Sequence, residues 1–335
     1  MHIPDNYLSP STCAVLATAT APVWIHSVKR IKAELPKEKV AMLGVAAAFS
    51  FVAMMFNVPM PGGTTGHAVG GTLIALLLGP EAACIAVTVA LLIQALLFGD
   101  GGILAFGANC FNMAFLLPFA GYYSYKLFAR LLHADDVGAA RSRKLVAVGI
   151  GSYIGINVAA LAAAIEFGIQ PALFHTAQGV ALYCPYGLSI SVPAMMLGHL
   201  TVFGAVEVIF TIAVYSFISS TAPGLIKDSN ITEAASKRTK PLLILLAILI
   251  AATPLGLLAQ GTAWGEWDIA EIPSMTESFS WNSLLPDYSL NGLPDAVAYV
   301  LSAVIGVLLV IIIFRLISAG MKQSTDFGDN PNEKY

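Results

Sequence analysis

The chain has little charge and few cysteines, and it lacks several catalytic motifs. Only 11% of its 335 residues are charged whereas 57% are hydrophobic, which excludes an ordinary soluble domain. The four cysteines have no CxxC spacing, so we expect apolar packing residues rather than a thiolate site for Cu(I) or Zn(II). No GxxxxGK[ST] sequence is present, which excludes ATP hydrolysis through the usual phosphate-binding loop.

The mean hydropathy of +0.77 indicates a polytopic membrane protein. Apolar windows of roughly 20 residues, enough to cross the hydrocarbon core as helices, lie at 9–28, 40–58, 103–125, 145–168, 188–218, 242–260 and 296–317. The apolar stretch 67–98 is too long for one span and is interrupted at Gly79-Pro80. We read it as two helices, one ending at Leu78 and one beginning at Glu81. The sequence therefore predicts an all-α membrane protein with nine helices.

The basic residues predict the orientation of these helices. All 17 Lys and Arg residues fall between helices one and two, five and six, or seven and eight, or at and beyond the C-terminal end of helix nine. Because short cytoplasmic loops are rich in Lys and Arg, we expect the N-terminus outside and the C-terminus in the cytoplasm. Residues 261–295, here called the outer segment, then lie outside. They hold six carboxylates and no basic residue: Glu266, Asp268, Glu271, Glu277, Asp287 and Asp295.

A basic linker, residues 219–241, divides the chain. It contains Pro223, Gly224 and several Ser and Thr residues, which are typical of a connection between domains. We expect a seven-helix membrane domain at 1–218, a two-helix hairpin at 242–320 with the long outer segment between its helices, and a cytoplasmic tail at 321–335. We expect the protein to be surrounded by a lipid bilayer and to have no nucleic-acid partner.

The first residues predict a metal site. The α-amino group of Met1, the backbone nitrogen of His2 and its Nδ1 can close two adjacent chelate rings around one ion, which leaves one in-plane position free. Such an all-nitrogen plane suits Ni(II) or Cu(II), and it should weaken in acid because the ligands must be deprotonated. Pro4 restricts the segment. No secretory signal pattern precedes the first span, so we expect Met1 to be kept.

His67 is the candidate fourth ligand. It ends the sequence Gly-Gly-Thr-Thr-Gly-His at 62–67, and the predicted topology puts it on the same side as Met1. His26, His133 and His175 are interpreted as structural or solvated. His199 lies within a predicted helix two turns before Glu207, and ionisable residues in a span are functional candidates; packing or hydrogen bonding is the other interpretation. Asn109 and Asn112 could bond the ligand loops or tie helices together.

Several of these motifs resemble the NikM/CbiM substrate-binding membrane proteins of energy-coupling factor transporters. They are Met-His-Ile-Pro-Asp at 1–5, Gly-Gly-Thr-Thr-Gly-His at 62–67, Leu-Leu-Phe-Gly-Asp-Gly-Gly at 96–102 and Gly-Ala-Asn at 107–109. The resemblance covers residues 1–218. Pro-Leu-Gly-Leu at 254–257 and Gly-Thr-Ala-Trp-Gly-Glu-Trp at 261–267 are similar to NikN, a two-helix component that is here fused to the larger domain.

The resemblance implies a high-affinity nickel-capture subunit of an ATP-driven uptake transporter in a prokaryotic inner membrane. The implied ligands are the amine of Met1, the amide and imidazole of His2, and the imidazole of His67. A NikQ/CbiQ-like coupling protein and NikO/CbiO-like ATPases would be the partners, so this chain is not expected to be an enzyme or to carry an organic cofactor. The fused arrangement favours nickel over cobalt. Asn6 replaces the glycine usual in the family at that position.

Three other functions stay open at the level of sequence. Cobalt uptake for corrinoid synthesis uses the same kind of site. An intramembrane metalloenzyme is disfavoured because no HExxH or paired-carboxylate motif accompanies the histidines. A passive cation channel should have acidic rings along its pore, whereas the predicted spans contain almost no carboxylates apart from Glu81, Glu166 and Glu207.

Overall fold

The computed structural model describes residues 1–35, 37–60, 63–136, 138, 140–223, 226, 240–259, 261–267 and 279–320. Its helices are α1 Pro10–Glu34, α2 Lys37–Met54, α3 Gly71–Leu78, α4 Pro80–Ile93, α5 Phe106–Asn109, α6 Leu117–Leu131, α7 Arg141–Gly168, α8 Gln170–Leu173, α9 Leu188–Gly198, α10 Gly204–Thr221, α11 Lys240–Ala252 and α12 Asp295–Gly320. Two 3-10 turns lie at Thr253–Leu258 and Pro286–Tyr288. Strands β1 Val58–Pro59 and β2 Thr65–Gly66 pair antiparallel.

The expected all-α membrane class is confirmed. Among the described residues, five helical stretches are long and apolar enough to cross a membrane: Pro80–Phe98, Arg141–Leu173, Leu188–Thr221, Lys240–Leu258 and Asp295–Gly320. Met42–Met54 is a shorter apolar helix. Nine separate crossings stay a prediction. The tail 321–335 and most of the linker 219–241 lie outside the described residues, as do Gly62, Asp268, Glu271 and Glu277.

Helix α3 is much shorter than a membrane span. Its eight residues extend about 12 Å, against roughly 30 Å of hydrocarbon. The hairpin β1–β2 and the non-helical residues 67–70 precede it, and Thr65, His67 and Val69 are all buried. Non-helical backbone at membrane depth is tolerated where protein surrounds it. The non-helical segment before α3 therefore carries His67 into the protein interior.

Within the described residues, three π-helical turns interrupt the longer helices. Gln94–Phe98 extends α4, Cys110–Leu116 joins α5 to α6, and His199–Phe203 joins α9 to α10. Each adds a residue to a helical turn, as often occurs at functional sites. All three lie beside the N-terminal segment or the groups that hold it, since Gln94 contacts Asp100, Asn109 contacts Ile3, and His199 lines a small cavity around Met1.

The C-terminal hairpin packs directly on the larger domain. Helix α12 lies along α2, and the Phe51 ring of α2 fills the space above Gly306 of α12. The hydroxyl of Tyr299 donates to the carbonyl of Met55 at 3.0 Å. Small residues allow such close helix approach in a membrane. The absence of a side chain at Gly306 therefore lets α12 pack closely against α2.

We predict that Gly306→Ala destabilises the protein. The new Cβ would overlap the Phe51 ring, and overpacking of this kind costs roughly 1–3 kcal/mol. The matched control is Gly320→Ala, where nothing lies within 4 Å of the added Cβ. Thermal unfolding in detergent should show a lower midpoint for Gly306→Ala only; equal midpoints for both variants would contradict this packing.

Candidate metal centre

The first nine residues pack against the rest of the protein. Helix α1 begins only at Pro10, where the Ser9 hydroxyl caps it by accepting a hydrogen bond from Thr12 N at 3.1 Å. Most of the residues before it are buried, with exposed fractions of 5% for Met1, 2% for His2 and 0% for Ile3. The α-amino group is consequently an interior group.

The Asn109 side chain holds this segment with the pair of backbone hydrogen bonds that a neighbouring β-strand would otherwise make. Its Oδ1 accepts a hydrogen bond from Ile3 N at 2.7 Å, and its Nδ2 donates to the Ile3 carbonyl at 3.0 Å. The Gly102 amide donates to the same carbonyl at 2.8 Å. Asn112, three residues away, donates instead to Glu166 at 2.8 Å. The two asparagines therefore have different roles, since only Asn109 holds the N-terminal segment.

Asp5 and Asn6 complete the turn that leads to α1. The Asp5 carboxylate accepts hydrogen bonds from Ile103 N at 3.0 Å and Leu104 N at 2.7 Å. Asn6 has a φ of +69°, a left-handed conformation that asparagine tolerates better than most residues. Its amide exchanges two hydrogen bonds with the backbone of Phe279. Asn6 thus satisfies the turn for which glycine was expected and also binds the outer segment.

His2 lies between the Asp100 carboxylate and the ring of His67. Its Nδ1 is 2.5 Å from Oδ1 of Asp100, while its Nε2 is buried without a hydrogen-bond partner. Asp100 also accepts hydrogen bonds from Tyr288 at 2.5 Å and Gln94 at 3.2 Å. Burial raises the pKa of Asp100, but the His2 charge and the hydrogen bonds from His2 and Tyr288 outweigh it and hold this pKa well below its usual range. Asp100 is therefore a carboxylate fixed beside His2.

His67 faces His2. The two ring centroids are 5.0 Å apart, and Nε2 of His67 is also buried without a partner. Its Nδ1 lies 3.2 Å from the Ala68 carbonyl, which can only accept a hydrogen bond. Burial, with smaller effects from the charges of His2 and the N-terminus, lowers the pKa of His67 to about 3. The ring is neutral at neutral pH, and its Nε2 carries the free lone pair that a metal requires.

Glu207 holds the loop that carries His67. Its carboxylate accepts hydrogen bonds from Val69 N at 2.7 Å and Gly70 N at 3.2 Å, and Gly70, at a φ of +72°, caps the start of α3. His199 is occupied within its own helix, because its Nδ1 lies 2.9 Å from the Met195 carbonyl. Glu207 and His199 thus act on different elements.

The α-amino group of Met1 pairs with a carboxylate from the outer segment. Its nitrogen lies 2.6 Å from Oε1 of Glu266, and the two side chains are 1% and 18% exposed. Glu266 belongs to the Gly-Thr-Ala-Trp-Gly-Glu-Trp sequence at 261–267, but nothing in that sequence indicates that its partner is the Met1 amine. Glu266, His2, His67, Asp100 and Tyr288 line one cavity of about 650 Å³ between the two domains.

All three predicted ligand residues, Met1, His2 and His67, therefore meet at one buried place. Within the described part of the chain, no group of three or more His, Cys, Asp or Glu side chains is arranged to hold a metal ion. The predicted donor set is of another kind, since two of its four nitrogens belong to the backbone. The four cysteines are buried and free of disulfides.

Comparison with known proteins identifies the family. Residues 2–225 match the family described as "Cobalt uptake substrate-specific transmembrane region", CbiM. The chain is 50% identical to "Probable fused nickel transport protein LarMN" of Lactiplantibacillus plantarum, over 97% of this chain and 99% of that protein. The chain belongs to the CbiM family. Residues 238–323 of this CbiM-family protein also match the PDGLE domain.

Two further matches agree with this assignment. "Fused nickel transport protein NikMN" of Rhodobacter capsulatus is 44% identical over 97% of this chain and 99% of that protein. A crystal structure described as a transition metal transporter is 49% identical and has a TM-score of 0.61, covering 72% of this chain and 99% of that one. The CbiM-family protein is thus a multi-pass membrane transport component rather than an enzyme, and the resemblance to fused NikMN proteins is confirmed.

We predict that Asn109→Ala loosens the N-terminal segment. The change leaves the buried Ile3 N–H without its acceptor, which costs about 1–3 kcal/mol. Asn291→Ala, at an exposed turn, is the control. Amide hydrogen exchange should accelerate at Ile3 in the Asn109 variant only, and unchanged protection there would refute the role assigned to this side chain.

Proposed function

We propose that this CbiM-family chain is the metal-capturing membrane subunit of an ATP-driven importer of Ni(II). The observation that carries the proposal is that buried His2 and His67 line one cavity together with Glu266, whose carboxylate pairs with the Met1 amine. Two imidazole Nε2 atoms without partners lie there, and buried polar atoms are normally satisfied. A bound metal ion would satisfy the Nε2 of His67 directly.

The proposed donors are the α-amino nitrogen, the His2 amide nitrogen, Nδ1 of His2 and Nε2 of His67. The first three form fused five-membered and six-membered chelate rings, and His67 closes the plane. A square-planar nitrogen set matches the preference of Ni(II). Chelation through Nδ1 requires the His2 ring to turn away from Asp100, which keeps its hydrogen bonds from Tyr288 and Gln94. The ion would exchange its water shell for a buried set of nitrogen ligands.

The fused domain arrangement, which this chain shares with two relatives named as nickel transport proteins, favours nickel over cobalt. LarMN and NikMN, which this chain matches along nearly its whole length, are both named as fused nickel transport proteins. The family description names cobalt uptake, so Co(II) is the second candidate substrate. The nitrogen set itself accepts several first-row metals and by intrinsic affinity would bind Cu(II) most tightly.

Transport would need further chains. The sequence has no phosphate-binding loop of the GxxxxGK[ST] type, so we assign ATP hydrolysis to separate NikO/CbiO-like ATPases, joined through a NikQ/CbiQ-like coupling protein. The gathering of basic residues in alternate loops supports a cytoplasmic location for those loops. The N-terminus and the outer segment would then face the outside of a prokaryotic inner membrane, with the C-terminus in the cytoplasm.

We predict that one residue added before Met1 abolishes nickel binding, because the primary amine becomes a backbone amide and loses its buried position. His67→Ala should reduce affinity by at least tenfold through loss of the fourth donor. His175→Ala, which changes an exposed histidine, is the control. The measurement is titration of purified protein against a chelator of known nickel affinity; unchanged binding by the folded, extended protein would disprove the ligand set.

We further predict that Ni(II) displaces Co(II) when both compete for the purified protein. Square-planar coordination by four nitrogens stabilises Ni(II) more than Co(II), and the named relatives point the same way. Equilibrium dialysis with both ions at equal free concentration measures the ratio. Preferential retention of cobalt would assign the protein to cobalt uptake instead.

A further inference from the structure

The contact between Glu266 and the α-amino group joins two distant parts of the chain. The residues are 265 positions apart, and Glu266 belongs to the PDGLE region whereas Met1 precedes the CbiM match. The amine nitrogen lies 2.6 Å from the carboxylate oxygen, and the amine end of this pair is almost fully buried. A carboxylate of the C-terminal domain is thus part of the immediate surroundings of the proposed metal site.

A fixed turn presents Glu266 to this site. Gly265 has a φ of +82° and lies against the Phe167 ring, so a side chain at this position would be both strained and crowded. Trp264 N donates at 2.9 Å to the hydroxyl of Thr64, the residue immediately before strand β2, which leads to His67. The Tyr7 hydroxyl donates to the Trp267 carbonyl at 2.8 Å. The turn is therefore tied both to the His67 hairpin and to the N-terminal segment.

Aromatic packing reinforces the same turn. The rings of Trp264 and Trp267 are 5.6 Å apart, and both contact Tyr186 at 5.8 Å. Trp264 also packs edge-on against Phe167 at 5.9 Å. Contacts of this type add stabilisation beyond the area they bury. Glu266 consequently has a defined position before any metal arrives.

A metal-bound amine can still donate a hydrogen bond to this carboxylate. A coordinated primary amine has given its lone pair to the metal but still carries two N–H groups, either of which can donate to Glu266. Ni(II) bound through one deprotonated amide has a net charge of +1, and a buried charge is costly unless it is paired. A metal ligand that donates its remaining N–H to a carboxylate is oriented and made more basic by it.

We infer that Glu266 is a positioning residue for the metal site: through its hydrogen bond to the Met1 amine, the C-terminal domain orients the terminal ligand and balances the charge of the bound ion. This inference rests on the proposed function, because it takes the Met1 amine as a ligand. Its consequence is that the site of the fused protein is shared by both domains, with the donors on the first and a supporting carboxylate on the second.

The test compares full-length wild type with Glu266→Gln, Glu266→Asp and Asp295→Asn. Asp295 is the matched control, because it is an exposed carboxylate at the end of the same outer segment. Nickel affinity is measured by chelator competition, and the visible absorption spectrum is recorded at saturation. Loss of a supporting carboxylate costs 10- to 100-fold in metal affinity, so we expect a loss in this range for Glu266→Gln, a smaller loss for Glu266→Asp and none for Asp295→Asn.

The spectrum separates a positioning role from direct ligation. Because the four nitrogen donors are unchanged, saturated Glu266→Gln should have the wild-type spectrum. A shifted spectrum at saturation would make Glu266 a ligand and overturn the inference. Unchanged affinity, or tighter binding that would reveal Glu266 as a competitor for the amine, would overturn it as well. If wild type binds no nickel, the proposed function itself fails.

A second measurement needs no metal. The rate at which an acylating reagent modifies the α-amino group is followed by mass spectrometry of the N-terminal peptide. With the partner carboxylate replaced, the amine should react several-fold faster in Glu266→Gln than in wild type or Asp295→Asn, at matched thermal stability. Equal rates would show that Glu266 does not hold the amine, whatever the nickel titration gives.

Discussion

A charged amine cannot be buried in a membrane protein without a partner, and the region around Met1 is built on this constraint. The Met1 side chain is 1% exposed, and the α-amino group pairs with Glu266. Since Glu266 lies on the outer segment, satisfying the amine requires that segment to fold over the N-terminus. The hydrogen bond from Tyr288 to Asp100 also joins the C-terminal hairpin to the groups around His2. The ion pair thus adds to the packing of α12 on α2 in holding the two domains together.

The non-helical backbone near the site obeys a related constraint. The N-terminal segment and the hairpin before α3 have no helical hydrogen bonds of their own, so other groups must supply partners. Asn109 and Gly102 supply them to Ile3, and Glu207 supplies them to Val69 and Gly70. Each of these side chains comes from or beside a packed helix. Rigid elements therefore determine the positions of residues that are themselves in loops.

Sequence reasoning predicted the helices, the family and the three candidate ligand residues, because hydropathy, motif and donor chemistry are local properties. It did not identify the Met1–Glu266 and Asp100–Tyr288 contacts, since the paired residues are 265 and 188 positions apart and the motifs that contain Glu266 and Asp100 do not indicate their partners. It also associated His199 with Glu207 by counting two regular turns. The π turn His199–Phe203 lies between them, and one extra residue rotates a helix by about 100°, so the expected shared face does not exist.

Glu207 connects helix α10 to the loop that carries His67. The helix runs on for 14 residues from Glu207 to its end at Thr221, about 21 Å of rigid rod. At that far end Arg141 bonds to Ser216, Ser219 and Ser220, whereas at the near end two hydrogen bonds attach the backbone beside His67. Helix α10 therefore connects the Arg141 contacts to the backbone beside His67 through a single continuous element.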